Sequence, residues 1–476
     1  MKFLKFTILL FILPNLIFGQ DKILKKCYQN QANLKNKKFE FKYTEKQYSF
    51  RHASYPWQKA EDFLSGKFFL NNSSITTIDS VDKKMRKTFI DEKIYASTKF
   101  GLNELQKLTI SDYYNRKFKT LQFSPLFLLE DLYSKKVKSS SENSTHKIYN
   151  TEINKGKVEV FINKKTNLTD KIRKTYYDEF YGDLETTILY NNYKKIDGKY
   201  FATKVNIEKI NGKLVDEVEI SDIKSVSKIE NSFVIPTDYK LIEDSEIKPE
   251  ILYNRFSDNI HLLELKHTDD KVLIAEFEDY LIVAEAPMNS KNGELIISKA
   301  KELFPNKPIK YFAFGHYHPH YIGGIRAFIN NGTKIICSDI NKEFATYLSN
   351  TKHSLNPDKQ EINKKEIQIE LIKDKLVYND DKNELQIYFI GEKSEHSNDY
   401  LIYYFPREKV LFQDDLVWIK SDKDIEKASK RQAGLYQAIV DLKLDVKTIL
   451  QSWPVKDYGV KTVIPFSDLE KSMNVK

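Results

Sequence analysis

Tyr311-Phe-Ala-Phe-Gly-His-Tyr-His-Pro-His-Tyr-Ile-Gly-Gly324 carries three of the chain's nine histidines, His316, His318 and His320, at alternate positions. An apolar run precedes them, and the pair Gly323-Gly324 follows. Such a segment leaves a strand, presents imidazoles and enters a helix. Residues at i and i+2 of an extended loop point the same way, and imidazole nitrogens suit zinc, iron and copper. The segment is therefore read as a transition-metal site.

Around it the rhythm is that of an α/β unit. Strands are expected at 260–265, 271–275, 280–284, 310–314 and 334–337. Helices are expected at 294–304, from 322 to 329, and at 342–348. Further strands follow at 368–372, 385–389, 400–405, 410–412 and 461–464, with a helix over 428–442. Alternation of this kind predicts helices packed on sheets. Two more positions stand at strand ends. His396 lies in the polar loop Gly391-Glu-Lys-Ser-Glu-His-Ser-Asn-Asp399, and Asp415 follows the apolar strand in Gln413-Asp-Asp-Leu416.

With these residues in view, the region from about 256 to 470 resembles the metallo-β-lactamase-fold hydrolases. In that family a strand leads into His-x-His-x-Asp-His-x-Gly-Gly. Later strand ends supply a third His, an Asp that bridges two metals, and a final His. His316 and His318 match the first two histidines, Gly323-Gly324 the glycines, His396 the third His and Asp415 the bridging Asp. Val283-Ala-Glu-Ala-Pro287 stands at the family's early strand-end motif. The chain also departs from the pattern. The motif's Asp is His320 here and its next His is Tyr321. The Gly that usually precedes the bridging Asp is Asp414, and the final His falls near Phe466-Ser467.

The resemblance implies a metal held by His316, His318 and His396, with Asp415 and His320 as the remaining candidates for a second position. It implies zinc, with iron as the alternative; one ion is expected, and the residues for a second are incomplete. Zinc lowers the pKa of a bound water to about 7. Asp415, His320 and Tyr321 are the candidate catalytic residues. Asp415 would orient the water or His320 would move a proton, and Tyr321 or Tyr317 would donate to a substrate oxyanion. The expected activity is that of a metal-dependent hydrolase acting on a small molecule. The alternative is a catalytically decayed relative that serves as a binding or scaffolding module. His52, His146, His261, His267 and His353 have no partner at ligand spacing and are read as structural or surface residues. Asp339 is read as a helix cap.

The first half reads differently. From about residue 38 to 249 the signals are short strands with turns between them: an alternating run at 157–162, strand formers at 186–190 and 200–207, then Asn211-Gly212 as a hairpin signal before 215–220. Helices are expected at 102–108 and 126–132. The strand rhythm resembles the curved antiparallel sheets of periplasmic lipid or lipoprotein carriers. The expected fold is thus an N-terminal antiparallel β-rich domain, residues 20–250, before an αβ/βα sandwich, residues 251–476.

Length and composition agree with two packed units. The chain has 476 residues, 41% hydrophobic and 13% aromatic. Its net charge of +9 comes from 76 basic residues dispersed among 67 acidic ones, which describes a solvated basic surface and not a nucleic-acid footprint. Residues 1–19 open with Lys2 and Lys5, continue apolar to Leu13, and end at small or apolar Ile17 and Gly19. This is the pattern of a secretory signal peptide, so export to the periplasm or beyond is expected. No later run is long and apolar enough to span a bilayer. Two distant cysteines, Cys27 and Cys337, exclude a disulfide framework.

Overall fold

The computed structural model describes residues 21–50, 53–71, 74–81, 84–99, 104–229, 235–245 and 247–475. The expected signal segment and His52 lie outside the described residues. Both cysteines are buried and free. Among the described residues, no helix is long and apolar enough to cross a membrane.

A twelve-stranded sheet, antiparallel throughout, spans Lys38 to Val226. Its first strand, Lys38–Ser49, pairs on one side with Ala60–Leu70 and on the other with the last, Leu214–Val226. Two meanders are thereby joined edge to edge. Alternate residues of these strands point into one core, where Phe39, Phe41, Phe68, Val160 and Ile172 meet Leu24 and Cys27 of helix Lys22–Gln31 and Leu129 and Leu132 of helix Leu126–Ser134. The side chain of Asp21 caps the first of these helices, accepting from the backbone of Ile23 and Leu24. Asn211 and Gly212 take positive φ, as the turn before Leu214–Val226 demands.

The helix expected at 102–108 is not found over its described part. Leu105 instead bridges Thr98. The helix begins later, at Ile110–Lys119, where Thr109 and Asp112 form a reciprocal capping box. That local signal outweighs the leucine spacing upstream.

The remainder folds as two sheets packed face to face. The first contains Ile251–Arg255, Ile260–Leu265, Asp270–Glu276, Leu281–Ala284, Ile309–Ala313, Lys334–Ser338 and Ile369–Ile372, antiparallel at the start and parallel from Leu281 onward. The second contains Lys375–Asn379, Glu384–Phe389, Leu401–Phe405, Val410–Gln413, Thr448–Gln451 and Val463–Pro465. Between them lies an apolar layer that includes Leu273, Phe277, Ile336, Leu385, Tyr403 and Phe412. Helices Ser290–Leu303, Ile325–Asn331 and Asp339–Asn350 cover the outer face of the first sheet, and Lys430–Asp441 with Phe466–Asn474 covers that of the second. Asp339 is the first residue of its helix, and Ser338 holds the cap position.

The glycine pair after the histidines is needed for close backbone approach. A Cβ on Gly323 would lie 2.4–2.6 Å from backbone atoms of Met288, and one on Gly324 would lie 2.9 Å from the Cα of Gly293 in helix Ser290–Leu303. Backbone cannot yield as a flexible side chain can. Gly323→Ala is therefore expected to destabilise the fold by about 1–3 kcal/mol, read as a lower denaturation midpoint in urea. An unchanged midpoint would show that the loop carrying the histidines can move aside.

Candidate metal centre

Three strand ends of the sandwich supply the site. Strand Ile309–Ala313 runs into the loop that bears His316 and His318, and Pro319 then starts a short helix. The loop before strand Leu401–Phe405 carries His396, and strand Val410–Gln413 ends at Asp414 and Asp415. One ring nitrogen from each of His316, His318 and His396 falls within 4.8 Å of the others. His316 Nε2 and His318 Nδ1 face each other at 2.9 Å. A tetrahedral zinc with Zn–N of about 2.0–2.1 Å places its ligand nitrogens roughly 3.3 Å apart, so this trio needs only small shifts to enclose one ion.

The surroundings favour a ligand state. His316 is fully buried, and burial together with the neighbouring imidazoles His318 and His396 holds it well below the ordinary histidine range. It is therefore neutral, as a metal ligand must be. Its Nδ1 lies 2.7 Å from Asp414 Oδ2. Donation from Nδ1 to that carboxylate leaves the lone pair of Nε2 directed at His318, the arrangement by which carboxylates orient metal-bound histidines.

Asp414 is itself supported by a second buried acid, Glu285. Burial raises both carboxyls; Glu285 raises Asp414 further, while the hydrogen bond from Asp414 offsets only part of the rise at Glu285, so the pair retains a proton between them. Glu285 accepts from the backbone N–H of Gly315 at 3.0 Å and from the Tyr403 hydroxyl at 3.3 Å. It does so from a positive φ of 75°, unusual for a glutamate and a sign of local strain at a strand end. The loop is pinned further by Asp399, which accepts from the backbone N–H of Tyr317 and the amide of Asn341, each at 2.8 Å. Burial pushes the Asp399 carboxyl up to about 6.

Asp415 adjoins the trio. Its Oδ2 lies 3.1 Å from His396 Nε2 and 3.1 Å from Arg431, and its Oδ1 accepts from Tyr400 at 3.2 Å. Burial acts to raise its carboxyl, but His396 and Arg431 outweigh that and hold it below the usual range. Asp415 is thus an ionised carboxylate beside the three-histidine group. His320 stands apart from the three histidines. Its Nδ1 lies 2.9 Å from Asp270 Oδ1, and its side chain is 41% exposed whereas that of Asp270 is wholly buried. Tyr321 is buried with its ring centroid 4.5 Å from that of His316. Burial and the carboxylates around it keep its phenol protonated. The hydroxyl of Tyr317, expected as a donor to substrate, is instead given to the backbone carbonyls of Phe50 at 3.2 Å and Ala53 at 2.9 Å. It fastens the N-terminal half to the site.

Asp414, Glu285, Asp399 and Arg431 escape a reading by ligand spacing. The only trace of Asp414 is the doubled acid after an apolar strand, and that of Glu285 a lone acid between alanines. Phe466, where the family's final His would fall, begins a helix. The histidines outside the site have other partners: His146 with Asp170, His261 with Glu276, His267 with Asn292 and His353 with Tyr177.

Of the three candidate ligands, His318 lines a cavity of about 1120 Å³ between the two halves of the chain. His318, His320, Tyr317 and Met288 line it from one side, and residues of the twelve-stranded sheet line it from the other.

No family model matches this sequence, and no curated protein matches it. Among solved structures, a metallo-β-lactamase from Pontibacter korlensis is similar over 47% of this chain and 98% of its own, at 15% identity and a TM-score of 0.35. The metallo-β-lactamase FIM-1 from Pseudomonas aeruginosa, solved in its mono-zinc form, is similar over 47% of this chain and 93% of its own, at 15% identity and a TM-score of 0.34. A metallo-β-lactamase from Hirschia baltica shares 16% identity over 48% of this chain and 97% of its own, with a TM-score of 0.33.

Proposed function

We propose that this chain is an exported, metal-dependent hydrolase of the metallo-β-lactamase fold, with one zinc ion at His316, His318 and His396 and an altered second position. The observation that carries this reading is the convergence of those three imidazoles, one of which, His318, lines a large cavity. The neutral state of His316 and the carboxylate on its far nitrogen support it. A zinc ion held there acts as a Lewis acid and supplies an activated water at neutral pH. The protein's own groups divide the remaining work. Asp415, ionised and flanked by Arg431, orients a hydrogen-bond donor beside His396. His320, held in its raised, proton-bearing range by Asp270 despite partial burial, is a proton source at the cavity wall. Buried Tyr321 stays a neutral phenol and shields the site from bulk water.

The second reading is a binding or scaffolding module. It is favoured by the engagement of His320 with Asp270 and by the helix at Phe466, which leave a second metal short of ligands.

The deciding measurement is the metal content of the purified protein after zinc is supplied and excess removed, by elemental mass spectrometry. About one zinc per chain is expected from three closed imidazole ligands. Two per chain would mean that Asp415 and His320 complete a second position. A metal-free protein would defeat the hydrolase reading and leave the binding module.

A further inference from the structure

Lys174 sits in strand Thr169–Asp178 with only 5% of its surface exposed, and it lines the cavity that His318 and His320 also line. Its stem passes across Gly156, where an added Cβ would meet the lysine Cε at 2.5 Å. Its ammonium group lies over the rings of Phe118 and Tyr176, 5.1 and 5.2 Å from their centroids. Among the described residues, no carboxylate pairs with it. Burying a cation without a counter-charge is costly, and two ring faces offset only part of that cost.

The acids that share the cavity are already engaged. Asp178 accepts from the backbone of Phe180 and Tyr181, Asp216 is paired with Lys209 at 2.6 Å, and Glu179 accepts from Asn289. The rest of the wall is rich in rings, among them Phe50, Phe180, Tyr181 and Tyr317. The space is slightly larger than a typical small-ligand pocket.

We propose that Lys174 is the anion-recognition point of this cavity, and that the substrate is an organic anion with an aromatic or apolar body. Its carboxylate, phosphate or sulfate meets Lys174, and its apolar body lies along the rings toward His318. This rests on the hydrolase reading for the site's chemistry, but the recognition belongs to the twelve-stranded sheet and needs no metal. Lys174 is thus a specificity residue supplied by the first half of the chain to a reaction centre in the second. Burial holds its ammonium below the ordinary lysine range, a shift that an arriving anion would reverse.

The test uses the full chain and a matched pair of probes, 4-phenylbutyrate and 4-phenyl-1-butanol, titrated calorimetrically into metal-free and zinc-supplied protein. The acid is expected to bind in both forms. Lys174→Met, which keeps the stem, is expected to weaken it by at least about 10-fold while leaving the alcohol unchanged. Lys174→Arg is expected to retain binding of the acid, which shows that a loss in Lys174→Met is not misfolding. Equal affinity for the acid in wild type and Lys174→Met would overturn the proposal. So would acid binding that requires zinc and vanishes in His316→Ala, because the carboxylate would then sit on the metal. Failure of both probes to bind would overturn it too. Failure of zinc uptake with Lys174-dependent binding intact would remove the hydrolase reading alone.

Discussion

Alanine at His316 or at His396 is expected to abolish zinc binding, whereas Asp414→Asn should weaken it by about 10- to 100-fold and leave the stoichiometry at one. The difference follows from position. His316 and His396 each supply one of three converging nitrogens, and removal of one leaves only two. Asp414 is not one of the three converging groups. It sets the orientation and tautomer of His316 through the 2.7 Å contact at Nδ1. An asparagine can still accept there, but it carries no charge to strengthen the imidazole as a donor and cannot share the proton with Glu285. Competition with a chromogenic chelator resolves all of these variants on one scale. Metal affinity should also fall with acidification, because protons compete for the imidazoles. Equal affinity in wild type and Asp414→Asn would show that the buried acids serve only packing. Full zinc retention in His396→Ala would mean that the ion sits elsewhere.

The same acid explains a glycine. A Cβ on Gly315 would sit 2.0 Å from Asp414 Oδ2, so the residue before the first ligand must be glycine for the carboxylate to reach the ring. This coupling joins positions 98 residues apart for the pair His316 and Asp414. It illustrates what is legible in the chain and what is not. His316, His318 and His396 can be read as a candidate ligand set because metal ligation would demand particular residue types at strand ends, and few other needs produce that pattern. The alternating and continuous apolar runs of residues 256–470 can be read for the same reason, since a buried strand between two layers tolerates little else. Asp414 and Glu285 cannot be read as partners, because their proximity exists only once two sheets have packed. The placement of His320 is a similar case. It stands at ligand spacing in the sequence, but the buried carboxylate of Asp270 on another strand takes its ring. Lys174 reads as one more lysine in a lysine-rich strand, and only the fold shows that it faces inward.

Arg326 is a further residue hidden in the sequence, and its loss is expected to cost the fold about 3–5 kcal/mol. It lies two residues after the glycine pair, among isoleucines that mark the buried face of helix Ile325–Asn331, and its own side chain is 3% exposed. Its Nε and Nη2 bind Asp358 at 2.7 and 2.9 Å, and its Nη1 donates to the carbonyls of Leu348, Ser349 and Thr351. Asp358 in turn caps helix Lys359–Ile362 and accepts from Ser290 at the start of helix Ser290–Leu303. One guanidinium therefore ties together the ends of the helices that back the histidine loop. Arg326→Leu deprives a buried carboxylate of its counter-charge and the carbonyls of Ser349 and Thr351 of their donor, whereas that of Leu348 keeps the Thr351 hydroxyl; each loss is expensive. The double variant Arg326→Leu, Asp358→Leu should be destabilised by less than the sum of the single variants, because it leaves no buried charge. Asp358 also dictates a pH signature. Burial acts to raise its carboxyl, but Arg326, Ser290 and the cap outweigh that and bring it down to about 2. The unfolded chain binds the proton first, so the contribution is complete above the ordinary carboxylate pKa of 3.8 and lost as pH falls toward 2. It amounts to roughly 2 kcal/mol. Urea denaturation of wild type and Asp358→Asn across that window measures it directly: the wild type should lose the extra stability on acidification and the variant should not. Parallel pH profiles would mean that the Arg326 network does not depend on the charge of Asp358.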